Sequence, residues 1–173
     1  MSDSNIHEII EDFRKALPGK VLGYDSEVHA LILEPDCESR EKLTRILKDM
    51  GYGVYQASTI EEARQSLAKM SNLALAIGVP RPEGTVEAEG IDFLSELKAV
   101  NQSVIPVLSV TFAESGDAVG ALRKNIAGFF IKPYDRREVM RSLSDLLYLH
   151  DRHDFLARLI HHFFRRIDEN TKA

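Results

Sequence analysis

The chain has 173 residues, a formal net charge of −5 and a 44% hydrophobic content, enough for one ordinary globular domain with extensions. The acidic balance argues against a dedicated nucleic-acid binder, and the single cysteine, Cys37, excludes an internal disulfide and suits a reducing compartment. No apolar run approaches the roughly 20 residues needed to span a bilayer, and Met1-Ser2-Asp3-Ser4-Asn5 lacks the start of a secretory signal, so neither a membrane nor a nucleic-acid partner is expected and the expected location is the cytoplasm.

Ile6, Ile9, Ile10 and Phe13 recur at helical spacing, which predicts a short amphipathic helix over residues 5–17, broken by Pro18-Gly19. Residues 1–27 are therefore set apart as an N-terminal extension. Leu31-Ile32-Leu33 is a short apolar run stopped by Pro35, the pattern of a buried strand. A helix over 38–50 carries Leu43, Ile46 and Leu47 on one face and closes at Gly51. Val54-Tyr55-Gln56 is a second strand. Ser58 or Thr59 can cap the next helix, which is expected to carry Ala63, Leu67 and Met70, and Thr59 with Glu62 has capping-box spacing.

A third strand over 73–77 leads into a long polar loop, 79–89. A helix over 91–100, a strand over 104–110, a helix over 115–125 and a short strand over 129–131 follow, ending at Lys132-Pro133. Residues 136–167 are helical by pattern, with a charged interruption at His150-Asp151-Arg152-His153-Asp154. Strands alternating with helices predict an α/β fold, a doubly wound five-stranded parallel sheet flanked by helices on both faces, over residues 28–148. Ligand sites in such folds lie beyond the carboxyl ends of the strands, which directs attention to Glu34-Pro35-Asp36, Gly78, Thr111 and Lys132.

Those strand ends, with Ile105-Pro106-Val107-Leu108-Ser109-Val110-Thr111, residues 114–121 and Phe130-Ile131-Lys132-Pro133-Tyr134-Asp135, resemble the receiver domains of two-component response regulators over about residues 27–147. The resemblance maps the family's strand-end threonine to Thr111, its Lys-Pro pair to Lys132 and Pro133, and its fifth-strand aromatic to Phe129 as the switch position. In the family, two acidic residues after the first strand and an acceptor aspartate hold magnesium, and the aspartate takes up a phosphoryl group. Here Glu34 matches the first acidic position, Pro35 falls on the second, and the acceptor maps to Gly78, or to Ile77 one residue earlier. Placing Pro82 on the proline that follows the acceptor favours Gly78 and makes the loop to Gly90 longer than the family norm by about four residues. Three carboxylate positions have become one.

The expectation is therefore a vestigial phosphoacceptor pocket, with no enzymatic activity, no metal and no cofactor. Asp36, Glu83, Glu87 and Glu89 are weighed as replacement carboxylates, and solvated loop charge is the expected role. Lys132 is expected to pair with Glu34, and Thr111 to cap a turn.

Beyond the domain, Phe155, Leu156, Leu159, Ile160, Phe163, Phe164 and Ile167 form an apolar stripe in a C-terminal extension, 149–173, of which Phe155, Leu159, Phe163 and Ile167 are taken as the interaction surface. Such a stripe needs cover, so a homodimer or a docked protein partner is expected, with back-packing on the domain as the alternative. His150, His153, His161 and His162 are expected to be surface histidines, not metal ligands. The functional expectation is a phosphorylation-independent, receiver-like regulatory module acting by protein–protein contact in a bacterial two-component-type pathway. Two alternatives stand beside it: a switch answering an atypical phosphoryl or small-molecule ligand, and an architectural homodimer presenting the tail helix.

Overall fold

The computed structural model describes residues 28–147 and Leu149. The expected helix over 5–17, the interruption at 150–154 and the apolar stripe over 155–167 lie outside the described residues. Within them the elements run β1 (His29–Leu33), α1 (Cys37–Asp49), β2 (Gly53–Ala57), α2 (Ile60–Leu67), β3 (Leu73–Gly78), α3 (Glu89–Val100), β4 (Ile105–Val110), α4 (Ser115–Ala121), β5 (Gly128–Ile131) and α5 (136–147).

The five strands form one parallel sheet in the order β2-β1-β3-β4-β5, with Leu33 in register with Gly78 and Gly78 with Leu108. The strand order reverses between β1 and β3, so the crevice beyond their carboxyl ends is the natural place for a site.

Successive residues of a strand point to opposite faces, and both faces here are covered, which is why the strands are apolar throughout. Leu31, Leu33, Leu108 and Val110 pack with Ala63 of α2, Phe93 and Leu94 of α3, and Ala118 and Ala121 of α4. On the other face, Ala30, Ile32, Ile77 and Val107 pack with Leu43, Ile46 and Leu47 of α1 and with Val139 and Leu143 of α5.

Local chemistry sets the helix ends. Asp36 caps α1 by accepting from the Ser39 backbone N–H at 2.8 Å, and Gly51 beyond its end has φ +92°, a conformation that suits glycine. Thr59 caps α2, accepting from the Glu62 N–H at 3.1 Å, while the Glu62 carboxylate reaches the Ser58 N–H at 2.7 Å, one residue earlier than the capping-box spacing implies. These hydrogen bonds hold the Asp36 and Glu62 carboxyls below the usual carboxylate range.

Two helices are shorter than expected. α2 stops at Leu67, and Met70 sits in the following turn while still packing on the core. α4 stops at Ala121 and tightens into a single turn, Leu122–Lys124, before Asn125 adopts φ +61°. The apolar spacing of Ala118, Ala121 and Leu122 continues through that boundary, so periodicity does not mark it.

Candidate functional site

Glu34 follows the last residue of β1, its backbone N–H donating to the Ala57 carbonyl, and its side chain turns inward to only 2% exposure. A buried carboxylate must be paired and hydrogen-bonded. Lys132 Nζ, from the segment after β5, lies 2.6 Å from Glu34 Oε2; the Asp36 backbone N–H donates to Oε1 at 3.1 Å. The Tyr134 hydroxyl donates to Oε2 at 3.3 Å and stands 2.5 Å from Ser109 Oγ, so the single phenolic proton leaves Ser109 as donor to Tyr134. The result is a closed chain, Ser109 to Tyr134 to Glu34 to Lys132. Burial, with the Glu34 charge beside it, pushes the Tyr134 hydroxyl pKa well above its ordinary value, while the Ser109 hydrogen bond partly offsets this.

The turn that carries Glu34 is clamped from α1. Arg40 Nη1 donates to the Glu34 carbonyl at 2.6 Å and to the Pro35 carbonyl at 3.0 Å. Pro35 has no side-chain oxygen, and exposed Asp36 is committed to the α1 cap.

Gly78 ends β3 in a buried position. A Cβ built there would lie 3.3 Å from Leu94 Cδ1 and 3.6 Å from Leu33 Cβ, so the volume a side chain would use is already lined by leucine. Glu83 and Glu87 in the loop beyond, and Glu89 at the start of α3, are exposed, and among the described residues no group of three His, Cys, Asp or Glu side chains is placed to hold a metal. The donor set does not fit the family's magnesium ion. Glu34 is occupied by Lys132, and Pro35 and Gly78 bring no side-chain oxygen where hard cations take carboxylates.

Thr111, at the end of β4, is exposed, and its Oγ1 and backbone N–H both donate to Glu114 Oε2, at 2.8 and 2.9 Å. It closes the turn into α4, the local role expected of it. The loop after Gly78 contributes a residue that sequence reasoning missed: Arg81 Nη1 lies 2.7 Å from Asp117 Oδ2 and 3.9 Å from Glu114 Oε1, tying that loop to α4. Asp117 keeps the guanidinium pKa above even its ordinary value. Phe129, on β5, is 39% exposed beside exposed Ile131, while Phe130 between them is buried in the core. Cys37 is free and exposed at the start of α1, with Glu41 its nearest polar partner at 3.9 Å.

Glu34, Lys132, Gly78 and Thr111 are legible in the sequence as strand-end residues, whereas the site roles of Tyr134, Ser109, Arg40, Arg81 and Glu114 are not. The signal for Tyr134 and Ser109 was present but weak: a lone serine in an apolar strand, and an aromatic two residues after Lys132.

Solved structures supply the matching architecture. NtrX from Brucella abortus superposes with a TM-score of 0.69 at 18% identity, over 78% of this chain and 30% of that one. A CheY-like response regulator receiver domain protein from Methanospirillum hungatei gives a TM-score of 0.63 at 19% identity, over 74% of this chain and 99% of that one. The fold is that of a response-regulator receiver domain. In sequence, the transcriptional regulatory protein ZraR of Klebsiella oxytoca is 32% identical to this receiver-like chain over 123 residues, 70% of this chain and 26% of ZraR. The chain thus spans about a quarter of that relative's length. No family model matches it. Among the described residues of this receiver fold, no helix is long and apolar enough to cross a membrane.

Proposed function

We propose that this chain is a phosphorylation-independent receiver-like module that works by protein–protein contact in a bacterial two-component-type pathway, and that it is not an enzyme. One observation carries the reading. The only carboxylate left at the position where the family binds its metal is buried against Lys132 at 2.6 Å, beside a glycine at the mapped acceptor position. A nucleophile and a metal cage are both needed for phosphoryl uptake, and among the described residues Gly78 and Pro35 stand where the family has two of its carboxylates.

The contact face of the proposal is α4, β5 and α5, where Val119, Phe129 and Ile131 stand exposed, with exposed Phe112 in the turn just before α4. Large apolar groups left exposed along these elements favour a protein partner. The acidic balance keeps nucleic acid outside the proposal for this region, although ZraR is named as a transcriptional regulator. A cytoplasmic location and a homodimer held through residues 149–173 complete the reading. They rest on the charge, the cysteine count and the apolar stripe.

The test is incubation of the full chain with acetyl phosphate and magnesium, followed by intact-mass measurement. No phosphoryl adduct is expected, and an adduct mapped to the strand-end crevice sinks the proposal. Light scattering on a chain truncated after Tyr148 tests the dimer. A monomer is expected, whereas a persisting dimer moves the interface onto the receiver face.

A further inference from the structure

Helix α4 is only seven residues long, and two of those, Gly116 and Gly120, are exposed glycines. A Cβ at either would meet nothing within 4 Å, so neither packing nor a positive φ calls for glycine there. Glycine in a helix interior costs backbone entropy without return, and here it occurs twice in two turns. The hydrophobic anchor is small as well. Ala118 and Ala121 are the buried residues of α4, whereas Val119 is 65% exposed and Phe112, in the turn before it, 81%. Left to its own sequence, this helix would be marginal.

What holds it from outside is charge. Arg81, three residues past Gly78, contacts Asp117 at 2.7 Å and approaches Glu114 at 3.9 Å. Glu114 in turn accepts the hydroxyl and N–H of Thr111, so Arg81, Thr111, Glu114 and Asp117 form one connected set across the β4–α4 turn. Arg81 belongs to the β3–α3 loop, and α4 belongs to the proposed contact face; the contact between them is a polar link from the loop after Gly78 to that face.

We propose that Arg81 is a fixed cationic brace on α4, and that its pairing with Asp117 and Glu114 keeps an intrinsically weak helix folded and the contact face in one shape. The inference rests on the reading of α4, β5 and α5 as the contact face. Regulation then takes a simple form: a partner that offers its own acidic groups to Arg81 releases α4, and one that packs on Phe112 and Val119 favours the braced helix. Local elements held by few contacts open independently of the domain and set where binding energy can be coupled to shape.

Hydrogen exchange on the full chain tests this. Arg81→Gln keeps a polar, uncharged side chain and removes the guanidinium that makes the pair. The amides of α4 should then exchange about two- to fivefold faster, the range that one partly exposed ion pair supports, while α1 and β3 are unchanged. Adding Gly116→Ala and Gly120→Ala to Arg81→Gln should restore the protection. Unchanged exchange in α4 overturns the brace, as does a uniform loss of protection through the whole domain. Failure of the two alanines to slow exchange overturns the assignment of the weakness to the glycines. None of these readings depends on phosphoryl uptake, so a phosphoryl adduct found by mass would remove the proposed function and leave the brace to be judged by exchange.

Discussion

Lys132 Nζ stands 2.6 Å from Glu34 Oε2 inside the crevice, Lys132 19% exposed and Glu34 2%. The pair joins the end of β1 to the segment after β5, across the place where the sheet order reverses. Removing one partner strands the other charge in a poorly solvated site. Lys132→Ala should therefore lower the unfolding free energy by about 3–5 kcal/mol, read from urea denaturation, while the paired change Glu34→Gln with Lys132→Met should recover most of that loss. Equal losses in the single and double variants would show that the two charges are not coupled.

Gly78→Asp puts a carboxylate back at the mapped acceptor position. Its Cβ meets Leu94 Cδ1 at 3.3 Å, and Leu94 is fully buried, so the substitution should cost about 1–3 kcal/mol of stability. Magnesium binding should not return with that change, because Glu34 stays paired and Pro35 gives no carboxylate. Gly78→Asp with Pro35→Asp should show a magnesium-dependent rise in melting temperature, and a rise in the single variant would contradict this account of the crevice.

Gly90 and Gly116 predict opposite signs for one substitution. A Cβ on Gly90 would fall 2.0 Å from the Val79 carbonyl oxygen and 3.0 Å from that of Pro80, where the Gly90 N–H already donates at 3.0 Å. These backbone oxygens, just past β3, cannot step aside cheaply. Gly90→Ala should destabilise by about 1–3 kcal/mol or more, whereas Gly116→Ala, facing open space, should gain about 0.5–1 kcal/mol. Urea midpoints of the two variants moving in the same direction would refute the contrast.

Tyr134 sets an alkaline limit. Its folded pKa is raised above the unfolded value of about 10, so its contribution is fully present below pH ~10 and is lost as pH rises beyond that. Stability of the wild-type chain should fall more steeply above pH ~10 than that of Tyr134→Phe, which in turn should be about 1 kcal/mol less stable at neutral pH for want of the hydrogen bonds to Ser109 and Glu34. Parallel pH profiles for the two proteins would mean that Tyr134 ionises freely.

Much of the fold was legible because its signals are local. The apolar runs that become β1, β3 and β4, the Thr59 cap and the stop at Gly51 each declare themselves within a few residues. The strand-end rule then located Glu34, Gly78, Thr111 and Lys132 without any contact information. What escaped depends on separation in sequence. Tyr134 meets Glu34 across 100 positions and Arg81 meets Asp117 across 36, and no periodicity encodes such pairs. Asp36, two residues past Glu34, has the look of a replacement carboxylate in sequence, yet its position three residues before Ser39 makes it a helix cap. The early end of α4 was hidden because the apolar spacing runs on while the two glycines weaken the helix beneath it.

A thermal melt with magnesium and beryllofluoride reads out whether the crevice takes a phosphoryl group. Any ligand that binds the native state raises its melting temperature by mass action, with no need for a covalent product. The account predicts a melting temperature unchanged by magnesium and beryllofluoride, alone or together. A rise that requires both would contradict it, and would mean that Glu34 leaves Lys132 to hold a metal.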